Sequence, residues 1–144
     1  MFQMCSQSII ALGILTGNSI ADLKQREILL LPSLLCILSG ICYQFLALKS
    51  TFFTILCTLL PAIMMFLFSL LLPGQIGMGD AIAAAAAIIW ESPFGALSIV
   101  SLSFFFAMLF AGHLFFRKKT VEIPFVPFLL LSECLWILGL GGSV

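Results

Sequence analysis

Residues 52–72, FFTILCTLLPAIMMFLFSLLL, carry no charged side chain anywhere between Thr51 and Pro73. At about 1.5 Å of rise per helical residue, such a stretch reaches across the roughly 30 Å hydrocarbon core of a bilayer. It is too long and too uniformly apolar for a barrel strand, which alternates in polarity and runs for about 10 residues. Backbone amides in hydrocarbon must be satisfied within their own segment, so the stretch reads as a helix.

Outward from this segment, charges and Pro/Gly clusters divide the rest of the 144 residues in the same manner. The expected helices are Met4–Ala21, Ile28–Leu48, Phe52–Leu72, Asp80–Trp90, Gly95–Phe116 and Ile123–Leu140. Composition agrees: 62% of the residues are hydrophobic, 8% are charged and the mean hydropathy is +1.28, against about 25% charged in a soluble domain. The expected fold is therefore all-α: a polytopic membrane protein, a bundle of six transmembrane helices, with residues 1–144 forming one membrane-embedded domain. The lipid bilayer is its solvent. Six Lys/Arg balance six Asp/Glu, which leaves no basic surface to hold nucleic acid. The first basic residue is Lys24, so the opening stretch lacks the positive start of a signal peptide and reads as a retained first span.

Loop charges set the orientation. Lys24 and Arg26 lie between the first two helices, and Arg117, Lys118 and Lys119 lie between the last two, while Lys49 falls in an even-numbered loop. The positive-inside bias then puts the odd-numbered loops in the cytoplasm and both termini outside a cell (inner) membrane. The fourth segment, Asp80–Trp90, would make only about 16 Å of helix, too little to span. Either it continues through Pro93, or the preceding Gly74–Gly79 stretch dips into the membrane as irregular backbone, which requires surrounding protein or a water-filled cavity. A cavity beside Asp80 is expected from length alone. The alanine run Ala83–Ala87 and the GxxxG spacing of Gly13 and Gly17 read as places where helix backbones approach closely.

Two aspartates occur in the chain, Asp22 at the end of the first helix and Asp80 at the start of the fourth, and the loop charges put both at the cytoplasmic face. Taken singly, Asp80 could cap its helix and Asp22 could be a solvated loop charge. Brought together in a partly dry site, two carboxylates share one proton. Such a pair can hydrolyse a peptide: the ionised member takes a proton from attacking water and the protonated member donates to the carbonyl oxygen. Gly77 and Gly79, ahead of Asp80, would allow a substrate strand or a neighbouring helix to come close. Asn18, one turn before Asp22 and on the same face, could orient its carboxylate.

The motif Gly77-Met78-Gly79-Asp80 resembles the GxGD motif of intramembrane aspartyl proteases, and its surroundings resemble the type IV prepilin peptidases. Asp22-Leu23-Lys24-Gln25-Arg26-Glu27-Ile28, with Pro32 following, is similar to that family's first aspartate motif. Ile123-Pro124-Phe125-Val126-Pro127-Phe128-Leu129 is similar to its IPFGPFL stretch. The three motifs come in family order over nearly the whole chain. The resemblance implies an aspartic endopeptidase in which Asp22 and Asp80 are catalytic, with Pro124, Phe125 and Pro127 in a supporting motif. Its expected partner is a prepilin or pseudopilin precursor, cut after a glycine at the cytoplasmic face. Ile82 and Val126 stand where the family commonly has Lys and Gly. The four zinc-binding cysteines of longer members have no counterpart, so the expectation is a minimal peptidase core that uses no metal and no cofactor.

Two other classes compete: a catalytically silent assembly partner of a pilus or secretion system, and a small proton-linked transporter, which would also keep carboxylates such as Asp80 and Glu133. Glu133, mid-helix, is expected to be protonated or hydrogen-bonded to a neighbouring helix. His113 is expected to be a satisfied interface residue, and Glu91 to lie in an outside loop. Cys5, Cys36, Cys42, Cys57 and Cys134 form no CxxC pair and read as small packing residues.

Overall fold

The computed structural model describes residues 2–25, 30–71, 77–116 and 125–140, with side chains described at 9–21, 30–71, 77–113 and 125–139. Among these, every regular element is helical: α1 (Phe2–Gln25), α2 (Leu30–Leu46), α3 (Phe52–Leu71), α4 (Met78–Ile88), α5 (Pro93–Phe116) and α6 (Val126–Leu135), which runs on into a π-helical turn, Trp136–Leu140. The order and the approximate limits follow the divisions read from charges, prolines and glycines.

The helix at the centre is one of the two short ones. Ala81, Ala83, Ala84, Ala86, Ala87 and Ile88 of α4 are all buried, because α1, α2, α3, α5 and α6 pack around it. Alanine permits this crowding: a methyl group lets surrounding backbones come in on every side, and interhelical contact then rests on dispersion between closely placed atoms. A helix enclosed by protein has no need to match a bilayer's thickness. α4 ends at Ile88 and does not continue through Pro93; Trp90 N–H and Glu91 N–H bond back to the carbonyls of Ala87 (3.4 Å) and Ile88 (3.0 Å), and α5 starts at Pro93. Residues 74–76, the other proposed route into the membrane, lie outside the described residues.

Register along the core orders the helices. Ala11 of α1 packs with Ala86, Ile89 and Trp90, whereas Leu15, one turn on, belongs with Ala81, Ala84 and Leu129. α1 therefore runs antiparallel to α4. α3 does the same, with Ile55 at the Trp90 end and Met65 at the Ala81 end. The α2–α3 turn is closed by Lys49 in the left-handed region (φ 50°) and by Ser50 N–H donating to the Gln44 carbonyl at 3.0 Å, while Thr51 Oγ1 accepts from Thr54 N–H at the start of α3.

Outward faces carry large apolar side chains, among them Leu31, Phe52, Phe53, Phe94 and Met108, each at least 70% exposed. α3 and residues 93–113 of α5 are long and apolar enough to cross a membrane, and only 28% of each apolar window is buried inside the bundle. The core helix of a soluble protein would have the opposite distribution. Ile9–Ala21, Leu30–Leu46, Met78–Ile88 and Val126–Gly139 are shorter apolar helices.

One packing expectation is corrected. Gly13, first of the GxxxG pair, is exposed, and a Cβ there would meet nothing within 4 Å. The close approach occurs instead at Gly40 of α2, where a Cβ would lie 2.6 Å from Ile89 Cγ2. Spacing reports that two glycines share a face; it does not report whether that face meets another helix.

Candidate active site at the amino end of α4

Gly77 is the residue on which α4 begins, with extended backbone (φ −71°, ψ 136°) and no side chain to cap the free amides. Asp80 lies in the first turn, and its N–H donates to the Gly77 carbonyl at 3.1 Å. The half-buried carboxyl folds back over this start: a Cβ on Gly77 would stand 3.1 Å from Asp80 Oδ2. Glycine therefore makes room for the acid. The unsatisfied amides and positive dipole end of a helix favour a negative group at this position. Gly79, also in the first turn, is half-buried.

Because α1 and α4 are antiparallel, position 22 near the end of α1 belongs to the end of the bundle at which α4 starts. The side chain of Asp22 itself lies outside the described residues, as do Pro124 and Arg117–Lys119. Asn18 is buried, and its side-chain amide donates to Ser33 Oγ at 2.9 Å. That bond joins α1 to α2 one turn before the aspartate.

A cavity of about 230 Å³ lies between α2, α3 and α4, lined by Ile37, Leu59, Phe66, Ala81, Ile82 and Ala85 among others, so that its wall begins one residue after Asp80. The lining is wholly apolar. Its occupant would be hydrocarbon, where the expected cavity was water-filled. Ile82 forms part of this wall.

The residues of the third motif support the core. Phe125 is buried and stacks in a tilted arrangement on Phe104 with ring centroids 5.0 Å apart. Pro127 falls in the first turn of α6, where a missing N–H costs nothing. Val126 is fully buried in the main cluster with Leu129.

The opposite end of α4 holds polar chemistry that the chain's pattern did not expose. Trp90 Nε1–H donates to Cys36 Sγ at 3.0 Å, and the Cys36 thiol in turn reaches the Ala86 carbonyl at 3.5 Å. Gln44 Nε2 donates to the Ile89 carbonyl at 3.1 Å and Gln44 Oε1 accepts from Ser50 Oγ at 2.8 Å. Cys36 is thus more than a packing residue. Gln44, a lone amide in an apolar helix, was the one available signal. Glu91 is another correction: it is buried, 8% exposed, and Trp136 Nε1–H donates to its Oε2 at 3.3 Å. Sequence placed it in a loop, correctly, but could not show that α6 covers that loop. Glu133 is fully buried, and neither of its carboxyl oxygens has a hydrogen-bond partner. His113 is exposed in the last turn of α5, where a satisfied interface residue was expected.

The chain matches no known family, no curated protein and no solved structure. What the fold defines is an all-helical bundle around a short alanine-rich helix, with two helices long and apolar enough to cross a membrane.

Proposed function

We propose that the protein is a membrane-embedded aspartic endopeptidase of the prepilin peptidase type, with Asp22 and Asp80 as its catalytic pair. In this reading all six helices lie in a cell membrane, both termini are outside and the catalytic end faces the cytoplasm. The substrate is a prepilin-like precursor whose basic leader meets that face while its apolar helix stays in the bilayer.

The observation that carries the reading is the start of α4. A glycine clears space for the Asp80 carboxyl, at the bundle end to which position 22 also belongs, next to an apolar cavity in position to receive hydrocarbon side chains. Hydrolysis then needs no further group. One carboxylate takes a proton from water as its oxygen bonds to the scissile carbonyl carbon, and the other carboxyl donates its proton to the carbonyl oxygen. Collapse of the tetrahedral intermediate breaks the C–N bond, and the nitrogen leaves with a proton returned by the pair.

The test is co-expression with a precursor bearing a short basic leader that ends in glycine before an apolar helix. Wild type should cut it, and Asp22→Ala and Asp80→Ala should not. Processing by both variants would refute the pair; processing by none of the three would favour a silent assembly partner. The rate should also fall toward low pH, where both acids are protonated, and toward high pH, where both are ionised.

A further inference from the structure

Between Ala81 and Trp90 the chain is buried at every position except Ile82 and Ala85, which are half-buried. Three residues apart, these two share one face of α4. The gap over them lies between α2 and α3, each of which packs on α4 while scarcely touching the other. At the Trp90 end the gap is closed: Ser50 N–H and Oγ both donate to Gln44 across the α2–α3 turn, and Gln44 Nε2 holds the Ile89 carbonyl. The cavity of about 230 Å³ takes up the space beyond, with Ile82 and Ala85 as its floor, Ile37 on one side and Leu59 and Phe66 on the other. Ile63, Phe66 and Leu67 line it and are also exposed on the outside of α3. The cavity is therefore continuous with the outward apolar face of a helix long and apolar enough to cross a membrane.

The chemistry and size of the space limit what can enter. Every lining residue is apolar, whereas a buried water needs about two to four polar partners, and cavities walled by Leu, Ile and Phe stay dry and take hydrocarbon guests. A further helix, about 10 Å across, is too broad for 230 Å³. A single hydrocarbon chain is not. We infer that this cavity is a lipid site: one acyl chain of a bilayer phospholipid enters laterally between α2 and α3 and lies along Ile82 and Ala85 of α4. The alanine at position 85 leaves the space, since a longer side chain there would fill it. The bound chain completes the burial of the central helix, which the bundle's own side chains leave unfinished on this face. The site rests on the bilayer being the solvent of α3 and not on the catalytic pair; a precursor side chain using the same space would displace the lipid.

Photolabelling tests the site. Purified full-length protein is placed in phosphatidylcholine nanodiscs doped with a phosphatidylcholine that carries a diazirine midway along one acyl chain, then illuminated and digested, and the adducts are located by mass spectrometry. Wild type should carry adducts on α4 at Ile82 or Ala85 as well as at Leu60 and Met64, which are exposed on α3 outside the cavity. Ala85→Leu should lose the α4 adducts while keeping those at Leu60 and Met64 and the helical circular dichroism. Should Ala85→Leu fail to fold, Ile37→Phe narrows the same space from α2 and should give the same selective loss. Wild type labelled at Leu60 and Met64 but not on α4 would overturn the site whatever the variants do, and so would α4 adducts that persist in the folded variants. Absence of label at Leu60 and Met64 as well would mean that α3 is not in the bilayer, and the site would fall with that premise. Asp22→Ala should label as wild type does even where precursor processing is lost, so failure of the catalytic pair and failure of the lipid site are read separately.

Discussion

At its carboxyl end α4 is tied to α2 through the Trp90–Cys36, Cys36–Ala86 and Gln44–Ile89 hydrogen bonds, and the connection beyond it is held to the end of α6 by Trp136 and Glu91. At its amino end it starts on a glycine, with no side-chain cap, a half-buried aspartate and an apolar cavity alongside. Interhelical hydrogen bonds in an apolar solvent fix position because the freed groups have no water to turn to. The contrast teaches a division along a helix of eleven residues: one end is anchored, and the other, on the proposed reading, leaves room for a reacting group and its substrate. Buried alanines join the two ends rigidly, so the anchored end positions the open one.

The comparison breaks most severely if the open end carries the chemistry. Asp80→Asn should lower precursor processing by at least about a hundredfold, the size expected when a group that moves protons in the transition state is lost, while thermal unfolding stays near wild type. Next in size, Gly40→Val strikes the anchor: a Cβ 2.6 Å from Ile89 Cγ2 should destabilise the bundle by about 1–3 kcal/mol, as overpacking of a full core does. The loss should be partly restored by pairing it with Ile89→Ala in a double-mutant cycle of unfolding in detergent. Gly77→Ala returns to the open end. Displacing the Asp80 carboxyl by a fraction of an ångström should reduce turnover by about tenfold, since misplacement of a reacting group by 1 Å can cost about a hundredfold. The melting temperature should hardly change. Smallest, Trp90→Phe removes the indole N–H from Cys36 and should cost about 0.6 kcal/mol, the average for a hydrogen bond between membrane helices, with processing unaltered. Should Trp90→Phe reduce turnover more than Gly77→Ala does, the division between anchor and working end would be wrong.

The helices were legible because each is bounded by a signal that acts locally. Charges, Pro73, Pro93 and the glycines before Asp80 set limits that the backbone respects within a few residues. The short fourth segment was legible as an anomaly of length, and the GxGD stretch as a motif. Contacts were not legible. Gly13 and Gly17 carry the pairing pattern, yet Gly13 faces open space while an isolated Gly40 sits so close to Ile89 that a Cβ there would lie 2.6 Å from its Cγ2. Glu91 is polar and loop-bound, which ordinarily means solvent, but Trp136, 45 residues later, covers it. Cys36 looked like a packing residue because its partners are an α4 carbonyl and an indole some fifty positions away.

Composition and segment length alone determined that this chain is helical and rich in apolar surface, because each amide must find its bond within its own segment wherever water is absent. The same local information marked the helix limits to within a few residues among the described residues. Which helix would be enclosed, which glycine would touch, and which acids would be buried were decided only when the helices assembled. Those outcomes depend on the face each helix turns to its neighbours, and that choice is made by the packing of all of them at once.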